Sequence, residues 1–415
     1  LNTLNAEFTG ETNYGGFYSN INQINLLISK TISTSLISKS EKDYYLGQAY
    51  GMRALYYFHL LRSWGDVVIH KTPSASFKLD ELSKPVSPAA EVMTFIKQDI
   101  DSSAVYFSTN YSFKSKVAWS KAATLMLKAD AYLWSSRQMG GGTADAAIAK
   151  AALSDIQTNV SALGLLPNFK DVFAYGNKRN KEIVFAIHNA LNEYTMFGGS
   201  YIAFMPRAVS TPNYLDSVTR GPITTSTHLL ITVGGGFYIP IYRSVFWRFS
   251  NEDSRKLASI NGAYRLEAGK YVLAPGLWVN KYQGVMNLGN REFVDDYPIY
   301  RYADLLLMLA EAKAILGENP ANEINLVRQR AYGVNYKAAV HGYPNQPGDL
   351  DINEALLKER FFEFICEGKR WYDLRRFGKS YVFKYTTAKS DYQLLWPIDR
   401  ATLTNNRALK QTPGY

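Results

Sequence analysis

Glu359, Glu363 and Glu367 recur every four residues, and Arg360, Arg370, Asp373, Arg375 and Arg376 lie among and after them. Paired carboxylates are what a glycoside hydrolase uses on either side of a sugar bond. The spacing argues against that chemistry. Positions i, i+4 and i+8 share one helical face, and arginines interleaved with such a face make ion pairs within the helix or to its neighbours. A structural role follows, because pairing is how long charged side chains become buried. No catalytic residue is assigned. Asp304 and Glu311, seven apart beside Leu residues, are expected to pair with arginines such as Arg53 or Arg370.

Other reactive side chains are sparse. Cys366 is the only cysteine, so no internal disulfide can form, and with no His beside it in sequence it reads as a buried, inert thiol within a helix. The histidines (His59, His70, His188, His228, His341) form neither HExxH nor H-x3-H. That spacing speaks against a zinc enzyme. His59, inside LYYFHLL, reads as a core residue. No GxxxxGK[ST] loop, no GxGxxG after a strand and no GxSxG elbow occurs. No metal or cofactor is expected.

Aromatic rings offer a different chemistry. Sugars stack C–H faces on rings while their hydroxyls seek polar partners. From Tyr194 to Pro298 the chain is rich in Gly, Pro, Ser, Thr and aromatics and loses helical periodicity, as surface binding segments do. Trp247, Trp278, Tyr238 and Tyr242 fall there, with Arg243, Arg207 and Asn213 as polar neighbours. These seven are the candidate ligand-binding residues; Arg220 and Arg248 lie near them. Trp64, Trp119, Trp134 and Trp371 sit in or beside helical runs, where core packing is the default.

Lys and Arg number 46 against 36 Asp and Glu, a net charge of +10. A basic total favours anionic partners. No five basic residues stand in a row, the densest cluster being Lys178–Lys181, so no nucleic-acid tail is expected. No apolar stretch reaches the length of a membrane span.

The elements that must hold these residues are mostly helical. Apolar spacing predicts helices over Phe17–Ser29, Glu41–Trp64, Ser87–Tyr106 (N-cap Ser87, Pro88 at the first position), Ser115–Ser136 and Thr143–Leu163. Helices resume at Ile299–Leu316 and Asn322–Gly333. The region Asp351–Phe377 is one long helix or two meeting near Gly368. The tail, Tyr392–Tyr415, reads as extended. Ala-rich pairs joined by tight turns suggest degenerate tetratricopeptide hairpins. The expected fold is therefore mainly α: hairpins in a right-handed scaffold, with a loop-rich subdomain containing short strands. Residues 1–181 form the N-terminal helical part, 182–298 the ligand-binding subdomain, and 299–415 a hairpin, long helix and tail.

Four segments together resemble the SusD/RagB family of surface glycan-capture lipoproteins: 49-AYGMRALYYFHLLRSWGDVVI-69, 300-YRYADLLLMLAEA-312, 359-ERFFEFICEGKRWYDLRRFG-378 and 396-WPIDRATLTNNRALKQTPGY-415. Weaker matches are 14-YGGFYSNINQINLLI-28 and the D-x-R at Asp253–Arg255. Lys369 stands where the family has His, and Ile69 where it has Pro. The resemblance implies non-catalytic binding of an oligosaccharide or polysaccharide at the outer-membrane surface. It also implies delivery to a SusC-like TonB-dependent transporter. The basic charge points to an acidic glycan. A peptide-capture lid on the same transporter type, a glycoside hydrolase and a protein-docking helical scaffold are the alternatives. The chain starts at Leu1; a signal peptide and a lipid-bearing Cys are expected to precede it, giving membrane contact through that anchor alone.

Overall fold

A computed structural model describes residues 4–9, 13–74, 83–207, 213–224, 239–274 and 276–415, apart from the side chains of 199, 200, 202 and 203. The α-helices of eight or more described residues are labelled α1 to α9. Helix α1 (Tyr14–Ser33) starts where the Asn13 side chain accepts from the Gly16 amide at 2.7 Å. Helix α2 (Lys39–Trp64) opens on a capping box between Ser38 and Glu41, and Gly65 ends it with φ +78°. Within α2, Gly51 permits close approach: a Cβ there would lie 2.0 Å from the Trp119 indole nitrogen. Helix α3 (Ala89–Phe107) begins two residues after the expected Ser87 cap. Asp66, from the turn after α2, accepts from the Ala89 amide at 2.8 Å, so the cap comes from a neighbouring element.

Helices α4 (Lys121–Gln138) and α5 (Gly142–Asn159) form the first expected hairpin, and α6 (Tyr302–Ile315) and α7 (Ala321–Tyr332) the second. Each of α1 to α6 packs on the next, α5 meeting α6 across the inserted middle of the chain. Small residues such as Ala122, Ala129, Ala149, Ala152, Ala303 and Ala312 are buried at these contacts, within one core shared by the helices. Of the two expected arrangements the structure has the second, helices α8 (Ile352–Phe364) and α9 (Arg370–Phe377) meeting near Gly368. Between them Cys366 (φ +64°) and Gly368 (φ +68°) turn the chain, so Cys366 lies in a corner and not within a helix. The tail is not fully extended: Asp399 caps a short helix, Arg400–Asn405. It is anchored to α2, since Trp64 Nε1 donates to Pro397 O at 3.0 Å and the Trp396 amide to Ser63 O at 2.8 Å.

The middle of the chain forms short antiparallel strands. Ile183–Ile187 pairs with Tyr297–Arg301 and so brings the two ends of the segment together. Inside it, Gly276–Val279 lies between Ile241–Tyr242 and Ile260–Asn261, and Ala263–Glu267 forms a hairpin with Lys270–Leu273. A second core, including Phe169, Phe246, Phe249, Leu277, Trp278 and Tyr282, fills this region and reaches Phe362 of α8.

The two cores meet at a buried ionic junction. Arg301 touches Glu182 (2.8 Å), Glu363 (2.6 Å) and Glu367 (2.9 Å). Arg255 binds Asp253 (2.8 Å) and Glu359 (2.6 Å), and Arg328 binds Glu359 (2.8 Å) and Asp349 (2.6 Å). Lys281 reaches Glu367 at 2.7 Å, and Arg330 pairs with Glu182 and Glu363. The glutamate array is thus neutralised by cations from other elements. These arginines hold the Glu359, Glu363 and Glu367 carboxyls below the usual range despite burial, and a group held so firmly ionised cannot serve as a proton donor. Asp304 pairs with Arg360 (3.5 Å) and Lys369 (2.8 Å), and Glu311 with Arg137 (2.7 Å) and Arg376 (2.9 Å). Neither uses Arg53, which binds Asp99 at 2.7 Å, or Arg370.

Candidate functional site

The aromatic candidates divide sharply. Trp247 lies on a short helix, Arg243–Arg248, that follows the edge strand Ile241–Tyr242. Phe246 is buried there and fixes the turn, while Trp247 next to it is 57% exposed. The two rings meet edge-on with centroids 5.4 Å apart. Lys256 sits over both, its Nζ 4.2 Å from the Phe246 centroid and 5.1 Å from that of Trp247. Tyr242 is 70% exposed. Arg243 donates through Nε to Ala274 O at 2.9 Å, which ties the mount to the neighbouring loop.

Two other arginines of the middle region lie over rings. Arg248 lies over Phe361 at 4.2 Å, and Arg220 over Tyr264 at 4.1 Å and the half-exposed Tyr271 at 5.1 Å. Arg207 and Asn213 are exposed, Asn213 with φ +65°. An exposed face of rings and guanidinium forks can stack a sugar ring and hydrogen-bond vicinal hydroxyls or a carboxylate. Tyr238 lies outside the described residues.

Trp278 requires a correction. It is fully buried. It sits on the central strand Gly276–Val279, which is covered on both faces and paired on both edges, so its indole fills the second core instead of meeting a ligand. Trp64, Trp119 and Trp134 are buried as expected, and Trp371 is half-buried. Burial pushes the Cys366 thiol up to about 11, so it rests protonated and unreactive at neutral pH.

A second feature carries no signal that the sequence reading used. A cavity of about 630 Å³ opens between α2 and the paired strands Ile183–Ile187 and Tyr297–Arg301. One wall is the stripe Met52, Leu55, Tyr56 and His59 on α2, with Phe17 from α1; Ile187, Tyr297, Pro298 and Ile299 face it. The charged part of the lining is Arg62, Arg360, Lys369 and Arg376 with Asp130, Asp304, Glu367 and Asp373. His59 stacks on Phe17 with centroids 4.8 Å apart. Burial and the nearby Arg62 hold its pKa down at about 3, so it is neutral there. The i, i+3, i+4, i+7 spacing of the α2 stripe is visible in the sequence, yet α2 is apolar nearly all round, which hides which face borders a hollow. Among the described residues, no group of three His, Cys, Asp or Glu could hold a metal ion, and no helix is long and apolar enough to cross a membrane.

Comparison with known proteins places this architecture. The SusD family model matches residues 270–387, which include α6, the glutamate array and α9. NanU of B. fragilis is 47% identical, covering all of this chain and 86% of that one, with a TM-score of 0.91. A SusD superfamily protein from Bacteroides vulgatus is 46% identical, covering all of this chain and 88% of the other, also at 0.91. SusD-like protein P38 of Formosa agariphila is 28% identical over 436 residues, all of this chain and 82% of that protein. Two more distant relatives carry a glycan in their descriptions. Starch-binding protein SusD of Bacteroides thetaiotaomicron is 30% identical over 130 residues, 29% of this chain and 22% of its own. Surface glycan-binding protein A of the same species, in complex with laminarihexaose, shares the fold at 18% identity and a TM-score of 0.72, covering 95% of this chain and 84% of its own. With near-half identity to a SusD superfamily protein along its whole length, and with the family's motifs placed as scaffold and ionic junction, this chain belongs to the SusD family.

Proposed function

We propose that the chain captures an oligosaccharide at the cell surface without cleaving it, on the face built by Trp247, Tyr242 and Arg243 with Arg207 and Asn213. One observation carries this reading: two rings, each more than half exposed, project from a mount pinned by buried Phe246 and the Arg243–Ala274 bond. An apolar surface held open to water in this way is a binding surface more often than a packing accident. The starch- and laminarihexaose-binding relatives support a glycan as the ligand. The captured chain is passed to a SusC-like TonB-dependent transporter in the outer membrane, with a lipid anchor holding the protein there. Moderate affinity suits such hand-over, because a tightly held ligand leaves slowly.

The arginines around the mount and the net charge of +10 favour an acidic glycan. Calorimetry with oligogalacturonides, sulfated oligosaccharides, maltoheptaose and laminarihexaose, alongside short peptides, tests both levels. Binding of an acidic glycan that weakens as salt rises supports the full reading. Salt-insensitive binding of a neutral glycan removes the acidic preference alone. Binding of peptides and no glycan replaces the reading with peptide capture.

A further inference from the structure

We propose that Arg248 is the residue of the Trp247 face that reads charge, taking an anionic substituent of the glycan, a carboxylate or a sulfate ester, in its guanidinium fork. This rests on the reading of that face as the capture site and adds the group that selects the sugar. Arg248 follows Trp247 on the short helix Arg243–Arg248, and both side chains are exposed. Its guanidinium carbon lies 4.2 Å from the centre of the Phe361 ring on α8 and 5.8 Å from that of Tyr385. Rings take up the flat face of a guanidinium and leave its N–H edge for oxygen acceptors. Among the described residues Arg248 makes these ring contacts and no hydrogen bond or ion pair.

The cations around it are short of acids as well. Arg370, at the start of α9, lies over the same two rings, 5.1 Å from the centre of Phe361 and 5.2 Å from that of Tyr385. It donates to Leu357 O at 2.7 Å. Burial draws its pKa down to about 10, with Asp373 opposing and Arg248 pushing the same way. Lys256, against the Trp247 ring, donates to Asn251 Oδ1 at 2.8 Å, and Arg243 spends its Nε on Ala274 O. The acids of this part of the molecule are already engaged. Glu354 is held by Lys384 at 2.6 Å and by the Tyr385 hydroxyl, Asp373 by Arg360 at 2.9 Å and Arg376 at 3.3 Å, and Asp253 by Arg255 at 2.8 Å.

Arg243, Arg248, Lys256 and Arg370 thus carry four positive charges on and around the mount with no ion-pair partner among the described residues. Of the four, Arg248 alone is exposed, so it meets the ligand while the others raise the potential around it. A carboxylate or sulfate offers the paired oxygens that a guanidinium fork takes. The two neighbours then divide the work: a sugar ring stacks on Trp247 whatever its charge, and Arg248 favours the sugar that carries an anion.

The test uses the full chain with two matched pairs of ligands. One is an oligogalacturonide and its carboxyl-reduced neutral form; the other is a sulfated galactan oligosaccharide and its desulfated form. Titration calorimetry at low salt is expected to show one acid bound about tenfold tighter than its neutral partner, or better, and the pair that responds tells carboxylate from sulfate. Arg248→Gln is expected to cut that preference below about threefold, and Arg248→Glu to invert it. Thermal denaturation checks that each variant is folded, and either folded variant suffices. Trp247→Ala should weaken both members of a pair alike and keep their ratio. Equal affinity for acid and neutral forms, or a preference that survives in a folded Arg248 variant, would overturn the proposal and leave glycan capture standing. If neither acid binds, the proposal also falls, and titration with maltoheptaose and laminarihexaose then shows whether capture itself stands.

Discussion

The ionic junction and the aromatic face use the same side chain for opposite ends. At the junction, Arg255, Arg301 and Arg328 are almost wholly buried and each is gripped by at least two carboxylates. On the face, Arg220 and Arg248 are exposed and lie over rings. A guanidinium enclosed by acids has its fork filled and its position fixed, so it can only hold elements together. One lying on a ring in water keeps donors for something else. The two tryptophans of the middle segment repeat the contrast, Trp278 sealed in a core and Trp247 standing in solvent. Residue type alone therefore does not separate architecture from recognition; what neutralises or covers the residue does.

The sharpest way to break this contrast is Arg301→Gln. It leaves Glu182, Glu363 and Glu367 short of a cation in a dry site, and removing one partner of a buried pair costs about 3–5 kcal/mol. Thermal denaturation should show a large fall in Tm. A change of less than a degree would show that the junction is not what joins the two cores. Trp278→Ala should be nearly as damaging, about 3–5 kcal/mol from lost packing, and would deny the indole its core role if stability held while glycan affinity fell.

Asp295 sharpens the electrostatic side. Burial raises its carboxyl to about 6, against the Gly284 amide that donates to Oδ2 at 2.7 Å. The folded chain therefore binds this proton more tightly than the unfolded chain, and stability is lost as pH rises from about 4 to 6. Asp295→Asn keeps the acceptor and removes the charge, so it should stabilise at pH 7.5 by about 2–3 kcal/mol and by nothing at pH 4. A gain of equal size at both pH values would discount the charge. The glutamates of the junction act with the opposite sign: their lowered values mean stability present above about pH 4.5 and lost as acid protonates them.

The smallest effect on stability belongs to the face. Trp247→Ala should stay within about 0.5 kcal/mol of the parent, as exposed substitutions do. Affinity for whichever glycan binds should nonetheless drop at least tenfold. Full affinity in a double variant with Tyr242→Ala would place capture elsewhere.

The helices and their pairing were legible because period and small-residue content are local properties of α2, α4, α5 and α6. The partners of Asp304 and Glu311 were not, since which arginine arrives depends on how distant elements are registered. Trp278 was misread because GLWV is an apolar run whose burial depends on strands on both edges, at Ile241–Tyr242 and Ile260–Asn261. Trp247 stood no differently in the sequence, and only the packing separates it, exposed beside Arg248, from buried Phe246. The hollow beside α2 needed the far wall, supplied by chain more than a hundred residues away.

The junction also sets an order of events. Arg255 and Lys281 belong to the middle of the chain, yet the acids Glu359, Glu363 and Glu367 that answer them come about a hundred residues later. Until that later stretch has left the ribosome or crossed a membrane, Arg255 has the adjacent Asp253 alone, Lys281 lacks Glu367, and the middle core has no lid of Phe362. A polypeptide released before residue 359 would thus carry a complete-looking first half and a centre unable to close, which makes truncation near its end far more damaging than the count of missing residues suggests.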